Sequence, residues 1–173
     1  MEKGIQRRRE LLAALDGQIS ALLLRQVKAE ADADYGGFRG GDFHVEPRAC
    51  GFDMSRLITV YVTGESRWYL DERVREAIAA ALSYLRRHQR PGGCVDLTPC
   101  NFASPPDTAF MINAVLNAWW LLERCDAPKA QWLRPALYRL IDSAASGIAT
   151  GGFHTPNHRW AIASCLLHCA KIT

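Results

Sequence analysis

The sequence lacks an apolar run long enough to cross a membrane. The longest uncharged apolar stretch, 108–122, is interrupted by Asn113 and Asn117, and it is shorter than the roughly 20 residues that a membrane helix needs. The N-terminal MEKGIQRRRE has neither the apolar core nor the small-residue cleavage site of a secretory signal. We therefore expect no membrane partner and a cytoplasmic location.

The sequence also lacks the residue patterns that nucleic-acid binding and metal binding require. The net charge is only +3, and the basic residues are spread along the chain rather than gathered in the stripe that a nucleic-acid footprint requires. Six cysteines are present, but none forms a Cys-x-x-Cys pair or a second pair with the spacing of a zinc site. The sequence predicts reduced thiols in the core, no nucleic-acid partner, no metal and no cofactor.

What the chain does contain is a repeat. Three of the Gly-Gly pairs, those that begin at Gly36, Gly92 and Gly151, are spaced at intervals of 56 and 59 residues, and a period of this size is typical of stacked supersecondary units. A polar, proline-bearing loop follows each pair, and an apolar segment follows each loop. With 173 residues, 49% of them hydrophobic, the chain is expected to form one domain, 1–173. Its expected repeats are 1–64, 65–124 and 125–173.

The helical pattern alternates between two kinds of segment. Segments 8–28, 71–89 and 129–146 carry their apolar residues on one face, which is typical of outer amphipathic helices. Segment 107–123 is apolar nearly all round, so it is expected to be a buried helix. Segment 52–63 is rich in β-branched residues and could be a strand by propensity, but the repeat calls for a helix there.

These segments predict an all-α fold of three helical hairpins, each an outer helix followed by an inner one, with the Gly-rich loops at one end. The third inner helix is expected to begin at Asn157. The arrangement corresponds to a partial (α/α)6 barrel, or half of an α/α toroid. An open arc of this kind exposes its inner helices, so we expect either a homo-oligomer or a C-terminal half that closes the arc.

The motif TPNHRW at 155–160, after a Gly-rich loop and before an apolar helix, resembles the heparinase and alginate-lyase group of α/α-toroid polysaccharide-processing proteins. The resemblance is specific over 151–167, and NFASPPDTAF at 101–110 gives weaker support. In that group an Asn at the mouth of an inner helix neutralises the substrate's uronate carboxylate, and a Tyr or His removes the C5 proton. The resemblance implies Asn157 as the neutralising residue, His158 or His154 as the base, and an acidic oligosaccharide or polysaccharide as the ligand.

The residue types suit this chemistry. A proton beside a carboxylate becomes acidic only when preorganised donors meet the developing charge, and a helix start at Asn157 would add backbone N–H groups. Arg159 could hold a second carboxylate or a sulfate, and Trp160 could stack on a sugar ring. The predicted substrate-binding residues are Arg159, Trp160, Asp107, Asn101 and Asn113.

Each of these residues also has a structural interpretation. Asn157 is a good helix N-cap, and Trp160 suits a core. Asn113 and Asn117 are spaced four apart on an apolar helix, so they either bond to neighbouring helices or face a cavity where ligand hydroxyls would pair with them. Asp107 is either an ordinary N-cap or a general acid.

Two alternatives to a lyase stay open. One is an intracellular glycoside hydrolase on the same fold that uses Asp53 and Asp107, which we place at equivalent loop ends. The other is a non-catalytic helical-hairpin module that binds a ligand or a partner. The first loop, 32–51, adds candidate binding residues on a loop rich in glycine. They are Tyr35, Phe38, Arg39, Asp42, Phe43, His44, Glu46 and Arg48.

Overall fold

The computed structural model describes residues 2–41, 44–98, 100–151 and 155–173. Within these ranges the chain is mostly helical, so the predicted all-α class is confirmed. The helices are α1 (Glu2–Arg25), α2 (Pro47–Val62), α3 (Glu72–His88), α4 (Pro105–Leu122), α5 (Leu133–Ala149) and α6 (Pro156–Cys169), with a 3-10 turn at Pro128–Ala130. The strands are β1 (Val95–Leu97) and β2 (Asn101–Ser104). In the described part of the chain, no helix is both long enough and apolar enough to cross a membrane.

Helices α2, α4 and α6 form one series of neighbours, and α1, α3 and α5 pack against that series. We call the first three the inner helices and the other three the outer helices. The inner helix α4 lies between α2 and α6, and the outer helices α1 and α3 pack against α2. The outer helix α5 packs against both α4 and α6. This order follows the alternation of amphipathic and apolar segments in the sequence, because an apolar helix is stable only where neighbours cover most of its surface.

α2 is helical despite its β-branched C-terminal half. Thr59 and Thr63 donate their hydroxyl protons to the carbonyl oxygens of Ser55 and Thr59, at 2.8 and 2.6 Å, so their polar atoms are satisfied within the helix. Most other residues of this half are buried against the outer helices and α4. Tertiary packing therefore outweighs the strand propensity of the segment. The predicted start at residue 52 is wrong, since the helix begins at Pro47.

The helical prediction also missed a β-hairpin. β1 and β2 pair antiparallel with an irregular register, in a segment that the sequence analysis treated only as a polar loop. Val95 is fully buried, and its N–H donates to Oγ1 of Thr108 at 2.9 Å. The hairpin is thereby fixed to the first turn of α4.

The first two Gly-Gly loops, at Gly36 and Gly93, dock on the outer helix of the following hairpin. Gly36 and Gly93 have φ angles of 88° and 89°, a conformation that only glycine adopts without strain. Gly36 lies against the backbone carbonyl of Ala80 in α3, and Gly93 against that of Ser143 in α5. Each loop is therefore held in contact with the backbone of the next outer helix.

The cysteines are free thiols, and all except Cys100 are buried. Burial raises the pKa of the Cys50 and Cys94 thiols, which disfavours the reactive thiolate. The Sγ atoms of Cys165 and Cys169 lie 3.9 Å apart on one face of α6. The predicted role as core residues is confirmed for the five buried cysteines and is wrong for Cys100.

Candidate active site

Three inner-helix starts define the candidate site. α2, α4 and α6 begin with Pro47, Pro105 and Pro156, a residue favoured at the first helical position because its missing N–H would have no helical partner there. In α2 and α6 the backbone N–H groups that follow in the first turn lack partners within the helix, and they carry the positive end of the helix dipole. In α4 the second residue is also a proline, and the next N–H, that of Asp107, donates to Oγ of Ser104. Residues from all three starts border one cavity.

This inner-helix cavity has a volume of about 780 Å³. Four predicted site residues, Asn101, Asp107, Asn157 and His158, line it together although they are spread over 58 positions of the sequence. The full lining consists of Arg48, Ala49 and Phe52 of α2, Leu97, Cys100 and Asn101 of the β-hairpin, Asp107 and Phe110 of α4, and Asn157 and His158 of α6.

Arg48 and Asp107 form an ion pair at the cavity. Nη1 of Arg48 lies 2.8 Å from Oδ1 of Asp107, whose side chain is only 8% exposed. Nε of Arg48 lies 3.2 Å from Oε1 of Glu46. The second oxygen of Asp107 accepts a hydrogen bond from Oγ of Ser104 at 2.6 Å, and the Asp107 N–H donates back to that Oγ. Ser104 is therefore the N-cap of α4, and the interpretation of Asp107 as the N-cap is wrong. The Asp107 carboxylate bonds the capping serine and orients Arg48.

The β-hairpin carries Asn101 to the cavity. Nδ2 of Asn101 donates to Oγ of Ser104 at 2.9 Å, so the same serine links Asn101 to Asp107. The hairpin is held closed by Asp96, whose carboxylate accepts from Nε and Nη2 of Arg90 and from the N–H of Ala103. Ala103 has a φ angle of 46°, a conformation that costs a non-glycine residue energy and needs this support.

Asn157 and His158 contribute from the first turn of α6. Thr155 is the residue that precedes the helix, so the interpretation of Asn157 as the N-cap is wrong. Oγ1 of Thr155 donates to Oδ1 of Asn157 at 2.6 Å, which occupies the amide oxygen and leaves the amide nitrogen as a donor. The ring of His158 makes an edge contact with Phe110, with centroids 6.0 Å apart.

The other predicted residues lie elsewhere. Trp160 is 78% exposed, so it is not a core residue, and neither it nor Arg159 lines the inner-helix cavity. Nδ2 of Asn113 donates to the carbonyl oxygen of Ala161 at 3.0 Å, which confirms the interpretation that this amide bonds to a neighbouring helix. His154, together with Asp42 and Phe43 of the first loop, lies outside the described residues.

The predicted equivalence of Asp53 and Asp107 is wrong. Asp107 is the third residue of α4, whereas Asp53 is the seventh residue of α2, and Ala49 occupies the place that corresponds to Asp107. The carboxylate of Asp53 is bound by Arg25 at 3.0 Å and by Arg56 at 2.7 Å. It does not line the inner-helix cavity.

The sequence analysis did not single out Arg48 as a site residue. It counted Arg48 among eight candidates of the first loop, because it placed the start of the helix five residues too late. The missing signal was Pro47: aligning the three prolines Pro47, Pro105 and Pro156 puts Arg48 at the position of Asn157, the second residue of its helix. Proline at a helix start is a stronger boundary signal here than the onset of apolar residues.

The hairpin that carries Asn101 is expected to loosen in acid. The hydrogen bond from Arg90 lowers the pKa of the Asp96 carboxyl. A lowered folded-state pKa contributes stability that is complete above the unfolded value, near pH 4, and is lost as the pH falls through the folded value. We expect Asp96→Asn to reduce the difference between the urea unfolding midpoints at pH 7 and pH 3. An unchanged difference would show that Asp96 is not linked to folding.

Similarity to known proteins gives no independent guide to this site. No family model matches the chain, and no curated protein and no solved structure matches it. Among the described residues, no group of three or more His, Cys, Asp or Glu side chains is placed to hold a metal ion. Function is therefore inferred from the geometry of the cavity and from the motifs that line it.

Proposed function

We propose that this chain is a carbohydrate-active domain of the α/α-toroid type, which holds an acidic glycan in the inner-helix cavity and cleaves it by β-elimination. The observation that carries the proposal is the meeting of Arg48, Asn101, Asp107, Asn157 and His158 around one cavity. These are a cation, two amides, a carboxylate and an imidazole, gathered from the starts of three inner helices and from the β-hairpin.

A uronate carboxylate in this cavity would meet three kinds of donor. The first is the guanidinium of Arg48, which carries five N–H donors, so its hydrogen bond to Asp107 and its ion pair with Glu46 leave other donors for a ligand. The second is the amide nitrogen of Asn157. The third is the set of backbone N–H groups in the first turn of α6, where the helix dipole favours an anion. The ion pair with Asp107 holds Arg48 in place before the ligand arrives, which reduces the cost of ordering it on binding.

The same residues provide the components of an elimination. His158 takes the proton as the C5–H bond of the uronate breaks, and the electron pair moves into a carboxylate-conjugated enediolate. The pair then forms the C4=C5 double bond while the C4–O bond breaks, and the leaving oxygen takes up a proton from the imidazolium or from water. Arg48 and Asn157 stabilise the charge that builds up on the carboxylate, an effect that can supply several kcal/mol of catalysis. Histidine suits the base because imidazole exchanges protons near neutral pH.

The cavity supports elimination better than hydrolysis. A glycoside hydrolase generally needs two carboxyl groups that flank the scissile bond, about 5 to 10 Å apart. Among the described residues that line the cavity, Asp107 alone carries a carboxyl, and it is engaged by Arg48 and Ser104. Asp53, the partner required by the hydrolase alternative, is engaged by two arginines outside the cavity.

The toroid proposal also concerns the open face of α6. α4 is covered by α2 on one side and by α6 on the other, whereas the described chain covers α6 with α4 and α5. Trp160 and Leu167 on the uncovered face are 78% and 64% exposed. Further hairpins or a second copy of the chain would bury this face and extend the arc.

The test is an elimination assay on acidic oligosaccharides. The wild-type chain is incubated with glucuronate- and galacturonate-containing oligosaccharides, and the ultraviolet absorbance of the new C4=C5 double bond is followed. We expect Asn157→Ala to lower the rate by about a hundredfold. Gln18→Ala, an amide truncation on the exposed surface of α1, is the matched control and is expected to leave the rate unchanged.

The same preparations separate the lyase from the non-catalytic alternative. Isothermal titration with glucuronate measures binding without turnover. Binding that Asn157→Ala weakens, in the absence of any elimination, would identify a sugar-binding module. Absence of both binding and elimination would refute the proposal.

A further inference from the structure

A second, smaller recess lies beside the inner-helix cavity, between helices α4 and α6. Its volume is about 190 Å³. The recess is lined by Asn113, Leu116, Asn117 and Trp120 of α4 and by Ser164 and His168 of α6. Phe110 of α4 and His158 of α6 line the larger cavity, so the two spaces follow one another along the seam between α4 and α6.

The recess opens on the one stripe of α4 that is not buried. Phe110, Asn113, Asn117 and Trp120 are separated by three, four and three residues and are partly or fully exposed, which places them on one face of the helix. Phe110 and Asn117 are seven residues apart, or about 10 Å along the helix axis. One extended oligosaccharide can therefore contact both spaces.

Several polar groups of the recess make no hydrogen bond to the rest of the described chain. In the described part of the chain, neither the Asn117 amide nor the Ser164 hydroxyl makes a hydrogen bond. Nδ1 of His168 is buried and also has no hydrogen-bond partner there. Asn113 differs, because its amide nitrogen is occupied by the Ala161 carbonyl. A buried polar atom without a partner is uncommon in folded proteins and calls for an explanation.

The described side chains that line the recess carry no carboxylate, ammonium or guanidinium group. No Asp, Glu, Lys or Arg is among its described lining residues, so nothing there compensates the charge of a carboxylate, phosphate or sulfate. Two amides, a hydroxyl and an imidazole are the groups that pair with sugar hydroxyls. Trp120 lies at the recess with its ring 6.3 Å from that of His168, and an indole face suits the apolar face of a pyranose.

We propose that this recess is a subsite for a neutral sugar residue, and that the glycan held by the chain therefore combines uronate with neutral sugars rather than being a polyuronate. The inference builds on the proposed function, since the inner-helix cavity supplies the uronate subsite. Asn117, Ser164 and His168 bind the hydroxyls of the neutral residue. A polyuronate would place a carboxylate in the recess without a cation to meet it, at a cost in desolvation.

The test compares two tetrasaccharides by isothermal titration. One alternates glucuronate with glucose, the other is an oligogalacturonate of the same length, and monomeric glucuronate reports on the inner-helix cavity alone. We expect the wild-type chain to bind the alternating tetrasaccharide at least tenfold more tightly than the oligogalacturonate. The variant Asn117→Ala/Ser164→Ala, in which both altered side chains are exposed, is expected to lose this preference and to keep the wild-type affinity for glucuronate. Ala163→Ser on the exposed face of α6 is the control.

The outcomes separate the two proposals. If glucuronate binds but the tenfold preference is missing, or persists in the double variant, the neutral subsite is refuted and the uronate site stands. If none of the three acidic ligands binds to the wild-type chain, both proposals fail. Circular dichroism of each variant establishes that a lost preference is not lost folding.

Discussion

Replacing Gly93 with alanine is expected to lower the free energy of unfolding by about 3 kcal/mol or more. The φ angle of 89° places the residue in a region that costs a non-glycine residue about 1–3 kcal/mol. The added Cβ would also overlap the backbone carbonyl of Ser143 in α5. A backbone oxygen inside a helix cannot rotate away as a side chain can, so the loop must lift off the helix. Urea unfolding followed by circular dichroism measures the loss.

The neighbouring residue provides a matched control. A Cβ at Gly92 would meet no described atom within 4 Å, and its φ angle is not in the left-handed region. Gly92→Ala is therefore expected to change the free energy of unfolding by less than about 1 kcal/mol. Equal effects at Gly92 and Gly93 would contradict the docking of the loop on α5.

Arg48→Ala is expected to reduce kcat/KM for an acidic oligosaccharide by about a hundredfold or more. The substitution removes the only Arg or Lys side chain among the described residues that line the inner-helix cavity, and the loss of one preorganised donor to a developing charge typically has this size. It also removes a partner from the Asp107 carboxylate, which is 8% exposed. Loss of a partner from such a group costs about 1–3 kcal/mol of stability.

A double variant separates these two effects. In Arg48→Ala/Asp107→Ala the Asp107 carboxylate is no longer left without its cation, so part of the stability lost in Arg48→Ala should return. Activity should stay as low as in the single variant, because the guanidinium is still absent. Recovery of activity along with stability would show that Arg48 acts only through folding. Urea unfolding and initial rates on the same preparations give both quantities.

The helical fold follows from features that are local in sequence. Apolar periodicity identifies α1, α3 and α5 as amphipathic, and near-complete apolarity identifies α4 as buried. The one ambiguous segment, α2, was assigned correctly only because the repeat requires a helix there. The spacing of the repeat thus predicts the helix correctly, whereas the strand propensities of residues 59–63 predict the wrong structure.

The parts that the sequence did not predict depend on contacts between distant residues. The β-hairpin is stabilised by hydrogen bonds that involve Asp96, Arg90 and Thr108. The sequence of residues 95–104 has no periodicity that predicts it. The pairing of Arg48 with Asp107 joins residues 59 positions apart, so neither residue alone indicates it. Asn157 and His158 were identified from a motif, but their placement beside Arg48 required the packing of three helices.

The seating of each glycine loop on the following outer helix makes the stability of the hairpins interdependent. Gly36 joins the first hairpin to α3, and Gly93 joins the second to α5, so every junction is a nearest-neighbour interface of backbone on backbone. In linear arrays of this kind, the free energy of folding is a sum over units and the interfaces between them. The middle hairpin takes part in both junctions, and its unfolding would release the two others. Cooperativity in this chain is therefore expected to centre on α3 and α4, and α4 is also one of the helices that line the cavity.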